Sequence, residues 1–79
     1  MKLTDLDIGQ IARILSVDES PFQAKLQEMG CVKDVLVRPI RKAPFGDPVV
    51  FELQDYTLSM RKKEAETIQV RLLDPLFYS

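Results

Sequence analysis

The 79-residue chain contains no histidine and no tryptophan, a single cysteine and only three glycines. Without histidine, the commonest general base and the commonest transition-metal ligand are both missing. Cys31 has no partner for an internal disulfide, which suits a reducing compartment. No apolar run approaches the ~20 residues needed to span a bilayer, and no apolar core follows Met1-Lys2 as a signal peptide would require. The sequence therefore reads as cytoplasmic, with no direct membrane insertion. Eleven basic residues face twelve acidic ones, a balance that leaves no electrostatic footprint for nucleic acid. Neither a Gly-x-x-x-x-Gly-Lys-Ser/Thr phosphate loop nor a Gly-x-Gly-x-x-Gly turn is present. A chain this small hides only ~60% of its unfolded surface and cannot wall a deep substrate pocket. A binding module is favoured over an enzyme, with no cofactor.

What the chain does have is the run Ala43-Pro44-Phe45-Gly46-Asp47-Pro48, set between strand-like segments. Each proline fixes its own φ and restricts the residue before it. Gly46 can take positive φ, and Asp47 can hold nearby backbone amides. The result is a stiff loop with Phe45 near its tip. A turn needs no aromatic there, so Phe45 either folds back onto the core or is offered to a partner.

Around that loop the pattern is mostly β. A strand is expected over about Gln10 to Val17, with Ala12 and Ile14 on one face. Ser20, Pro21 and Gln23 resemble a helix start with a Ser-x-x-Gln capping box. Phe22, Leu26 and Met29 then form an apolar stripe, and Gly30 supplies a left-handed stop, so a helix is predicted over about 21–29. Val35 and Val37 alternate with Leu36 and Arg38, and Pro39 implies an edge position or a bulge. Val49, Phe51 and Leu53 form the inward set of the next strand, followed by Leu58 and Met60 after a turn at Asp55. A helical turn near 61–67 buries Ala65, and Ile68 to Leu72 closes the pattern. Arg61-Lys62-Lys63, with Glu64 and Glu66 after it, reads as a solvated charged segment. Five short strands and hairpin-length connections predict a small, mainly β barrel.

Little in this pattern carries chemistry. Cys31 follows a helix C-terminus, where the dipole raises a thiol pKa, and reads as a small core-edge residue. Asp5 with Asp7, Asp18 with Glu19, and Glu64 with Glu66 lack the spacing of a cation loop, so no metal site is expected. The tail Leu73-Asp74-Pro75-Leu76-Phe77-Tyr78-Ser79 is apolar for a terminus. Either Leu76 and Phe77 fold back to cap an open barrel end, or Leu76, Phe77 and Tyr78 dock to a partner or a second copy of the chain.

Several segments, in order and spacing, resemble the ferrous iron transport protein A (FeoA) family. They are Gly9-Gln10-Ile11-Ala12-Arg13-Ile14, Leu26-Gln27-Glu28-Met29-Gly30, the loop from Ala43 to Val49, and Leu58-Ser59-Met60-Arg61-Lys62-Lys63-Glu64-Ala65. With Ile68 and Val70 they span about residues 5–71 of what reads as one domain over 1–79. Two departures stand out. Lys33-Asp34 replaces the family's usual Pro-Gly, so Asp34 would take a left-handed conformation at some local cost. Residues 72–79 extend past the usual family end.

The resemblance implies a five-stranded SH3-like barrel and an accessory role in bacterial ferrous iron uptake. The expected partner is a FeoB-like membrane permease with a cytoplasmic GTPase region, with family-level association to transition metal ions. Under that reading Pro44, Phe45, Gly46, Asp47 and Pro48 present the docking surface, and Leu76, Phe77 and Tyr78 form a second surface for the partner or for self-association. The alternative is a free-standing regulatory module related to the C-terminal domain of DtxR-like repressors.

Overall fold

The opening segment winds a 3-10 turn at Leu3–Asp5, and Asp5 Oδ2 accepts the Lys2 amide at 2.8 Å to hold it. The computed structural model describes residues 1–73; the expectations for Leu76, Phe77 and Tyr78 therefore lie outside the described residues. Five strands follow, β1 (Ala12–Val17), β2 (Leu36–Lys42), β3 (Val49–Leu53), β4 (Tyr56–Met60) and β5 (Ile68–Leu72). Two short helices interrupt them, α1 (Gln23–Glu28) after β1 and α2 (Lys62–Ala65) before β5. All strand pairs are antiparallel, in the order β4-β3-β2-β1-β5.

Alternation decides which side chains go inward. Ala12, Ile14, Val37, Val49, Phe51, Leu53, Met60, Ile68 and Val70 are buried in one cluster, joined by Leu3, Leu6 and Leu26. Side chains from all five strands can meet in one cluster only if the sheet curls, as the expected barrel does. Two bulges supply the bend. Register shifts between Ile14 and Ser16 on β1, and between Pro39 and Arg41 on β2. Pro39 thus sits at a bulge, one of the two settings the sequence suggested; β2 lies between β3 and β1 and is not an edge strand. The β1–β2 pairing ends at Ala12↔Val37, and the Pro39 carbonyl accepts the Gly9 amide at 2.8 Å.

Three element boundaries and one burial expectation need correction. First, β1 begins at Ala12 instead of Gln10, because Gln10 is taken up by a turn. Its amide donates to the Asp7 carbonyl at 3.1 Å, and its Oε1 accepts the Asp7 amide at 2.7 Å. Second, α1 begins at Gln23, and the capping box is not made. Ser20 Oγ accepts from the Phe22 amide at 3.2 Å, while Gln23 Nε2 donates to the Val17 carbonyl at 3.1 Å. Pro21 and Phe22 form a turn ahead of the helix. Third, Val35 precedes β2, although it packs against the core as expected. Fourth, Glu64 is not part of a solvated face; it is 93% buried at 7% exposure. Asp34 does take the left-handed conformation, at φ 74°.

At six residues α1 is too short to persist unaided. Leu26 anchors it in the core, and two polar clasps hold its ends. Lys25 Nζ meets Glu64 Oε2 at 2.7 Å. The Tyr56 hydroxyl donates to the Met29 carbonyl, closing over Gly30 at φ 100°. On the far side, the N-terminal segment runs along the outer edge of β5. The Val70 amide donates to the Met1 carbonyl at 2.8 Å, and Lys2 bridges to Gln69.

Candidate functional site

The β2–β3 connection is a turn within a hairpin. Lys42 pairs with Val49, and just beyond them the Ala43 amide donates to the Pro48 carbonyl at 3.0 Å. Inside that gate the Gly46 amide donates to the Ala43 carbonyl at 2.7 Å, closing a four-residue turn. Pro44 occupies its second position, where a fixed φ near −65° is wanted, and Gly46 its last. Gly46 stands at φ 85° and the Asp47–Pro48 peptide is cis. Phe45 is left at the outer corner, 98% exposed. Between the two readings of this residue, the structure has it pointing away from the core.

Asp47 holds the loop as expected, but through a remote contact. Its Oδ1 accepts the amide of Lys62, the first residue of α2, at 2.9 Å. That amide is one of the helix-end donors with no partner inside the helix, so one bond both caps α2 and pins the loop. The tether continues. Glu64 Oε1 accepts the Arg61 amide at 3.0 Å, and Oε2 takes Lys25 on α1. The Lys25 ammonium, with the Arg61 amide second, holds the Glu64 carboxyl below the usual glutamate range. Loop, α2 and α1 are thereby linked through side chains that the sequence scatters over residues 25–64.

Cys31 is wholly buried. Burial first, and the Glu64 charge second, push its thiol up to about 11. The direction matches the sequence reading, but desolvation is the cause in place of the helix dipole. A thiol so protonated is no nucleophile at neutral pH. Among the described residues no group of three or more Cys, Asp or Glu gathers as metal ligands. No helix among them is long and apolar enough to cross a membrane.

Sequence reasoning missed Tyr56, Glu64 and Lys25 as organisers of this region. Tyr56 reads as an ordinary strand residue, and its partner lies 27 positions away. For Glu64 a signal existed, because Arg61-x-x-Glu64 has the spacing at which a carboxylate reaches back to a helix's first amide.

Residues 1–72 match the sequence model of the FeoA domain family. The chain belongs to the FeoA family. A curated relative from Porphyromonas gingivalis (strain ATCC BAA-308 / W83), an Fe(2+) transport protein A/Fe(2+) transporter FeoB fusion protein, is 34% identical over 74 residues. That match covers 92% of this chain but 9% of the fusion protein, so the FeoA domain spans about a tenth of its relative's length. The FeoA protein from Chlorobium tepidum, solved by NMR, superposes with a TM-score of 0.85 at 36% identity, covering 94% of this chain and 71% of that one. A Stenotrophomonas maltophilia FeoA, crystallised with zinc and described as a procaryotic SH3 domain protein, gives 0.80 at 28% identity. There the coverage is 90% of this chain and 89% of the other. The curled five-stranded sheet of this FeoA domain is thus SH3-like, and the family associates it with ferrous iron transport.

Proposed function

We propose that this FeoA domain is a non-enzymatic cytoplasmic accessory protein of ferrous iron uptake that docks to the cytoplasmic region of a FeoB-type GTPase permease. The loop Pro44-Phe45-Gly46-Asp47-Pro48 is its contact. The observation that carries this reading is Phe45, 98% exposed on a turn pinned at its base and to α2. A large exposed aromatic on a pre-ordered loop resembles the anchors that dominate binding energy, and ordering it in advance lowers the entropy lost on association. The fusion of transport protein A and FeoB in the Porphyromonas relative supports the choice of partner, because covalent linkage raises the effective concentration of a weak pair.

The test is a calorimetric titration of the protein into the permease's purified GTPase region, with and without a GTP analogue. Saturable binding is expected, and Phe45→Asp should weaken it by ~2 kcal/mol or more, about 30-fold. The same variant should unfold within ~0.5 kcal/mol of wild type, as exposed substitutions do. Wild-type silence up to ~1 mM, where binding free energy is only about −4 kcal/mol, would remove the proposed contact.

A further inference from the structure

Beside the base of the loop lies a cavity of about 80 Å³, floored by Leu6, Val49 and Phe51 and rimmed by Thr4, Lys42 and Lys62. The register explains its position. Lys42 pairs with Val49 and Val49 with Met60, so the end of β2, the start of β3 and the approach to α2 lie side by side. Lys62 reaches the loop itself, since a Cβ on Gly46 would stand 3.4 Å from its ammonium. Both rim lysines are exposed. Neither makes an ion pair among the described residues, where only Lys25–Glu64 and Arg38–Glu52 do so. Arg41, Arg61 and Lys63 nearby in sequence are also exposed and unpaired by the same measure. Asp47, the loop's own acid, accepts the Lys62 backbone amide at its Oδ1.

We infer that this cavity receives one aliphatic side chain from an acidic segment of the docking partner, whose flanking carboxylates meet Lys42 and Lys62. The inference rests on the docking reading above and names the chemistry of the surface that the loop meets. The volume is about half that of the ~150 Å³ cavity able to hold benzene, which suits a branched aliphatic end better than an aromatic ring. An apolar floor with two cations at its rim asks for both features in one ligand. Charge complementarity of this kind sets partner choice and on-rate more than raw affinity.

The experiment is a ¹⁵N-HSQC titration of the full chain with three end-blocked nonapeptides. One carries a single leucine among aspartates and glutamates, the second has glycine for that leucine, and the third has lysines for the acids. The first should shift the Thr4, Leu6, Lys42, Val49 and Lys62 amides saturably, and more weakly as salt shortens the Debye length. The glycine peptide should bind roughly tenfold more weakly and the lysine peptide not at all below ~1 mM. Lys42→Glu with Lys62→Glu should abolish the response, with Lys42→Gln and Lys62→Gln as the gentler pair if spectral dispersion is lost. A control peptide that binds as tightly as the first would overturn the inference, as would no response to the first. So would the same shifts produced by inorganic phosphate or by phosphatidylglycerol vesicles. If the acidic leucine peptide binds but the permease region does not, the docking function fails and the cavity assignment stands. If the permease region binds the double glutamate variant at wild-type affinity, the reverse holds.

Discussion

Replacing Gly30 by alanine should cost more than losing a helix-ending glycine normally does, and Tyr56 is the reason. Gly30 sits at φ 100° directly after α1, and holding a side-chain-bearing residue in left-handed space costs ~1–2 kcal/mol. The new Cβ would also fall onto the Tyr56 hydroxyl, with Tyr56 Cζ 3.1 Å away. The hydroxyl must then abandon the Met29 carbonyl, a further ~1 kcal/mol. Gly30→Ala should therefore cost ~2–3 kcal/mol and Tyr56→Phe alone ~1 kcal/mol. In the double variant the hydrogen bond is already gone, and the ring need give only a few tenths of an ångström. The pair should cost ~2–3 kcal/mol, not the ~3–4 of simple addition, leaving a coupling of ~1 kcal/mol. Urea unfolding reads this directly. With a slope of ~1 kcal/mol/M, the Gly30→Ala midpoint falls by ~2–3 M and adding Tyr56→Phe lowers it no further than ~0.5 M. Additivity within ~0.3–0.5 kcal/mol would show that the two residues do not meet, and the reasoning would fail.

Glu64 makes stability depend on pH with a defined sign. Its folded pKa lies below its ordinary value, chiefly through Lys25, so the unfolded chain binds the proton more readily in acid. The stabilisation is present above the unfolded pKa of ~4.3 and is lost as pH falls through the lower folded value. Glu64→Gln should flatten the decline in urea midpoint between neutrality and pH 3, and an unchanged slope would refute the assignment. Cys31 should resist thiol reagents at pH 8 in the folded protein, since a pKa of about 11 leaves about one thiolate in a thousand. Rapid labelling without denaturant would contradict its burial. Asp47→Ala frees the Lys62 amide and should cost ~1 kcal/mol, as a lost cap does. It should also lower backbone amide order parameters at Phe45 and Gly46, and order parameters equal to wild type would mean that the tether does not stiffen the loop.

Residues that act locally were legible in the sequence. Val49, Phe51 and Leu53 alternate because a half-buried strand has a period of two, and Gly30 follows the apolar stripe because a helix needs a left-handed exit. The Pro44 to Pro48 turn likewise announces itself through residues whose φ is restricted or free. Where the sequence misled, a longer-range contact won. Gln23 has the spacing of a capping box, yet its amide group reaches the Val17 carbonyl. Glu64 sits among charges that look solvated, yet it is buried because Lys25, 39 residues earlier, comes to meet it. For the candidate site, the loop could be read from the chain but its setting could not. Nothing local says that Asp47 will hold Lys62, or that Lys42 and Lys62 will rim one cavity.

The segment laid along β5 by Met1 and Lys2 bears on how copies of this molecule can associate. A curled sheet that does not close has two borders, and each is a template for a foreign strand. Here the middle of one border already carries Met1 and Lys2, which leaves β4 as the strand whose outer side is unpaired among the described residues. Among the described residues, a foreign strand therefore meets an open border along β4 and a partly covered one along β5. Removing Met1 and Lys2 would uncover the middle of β5 and make that border a template as well.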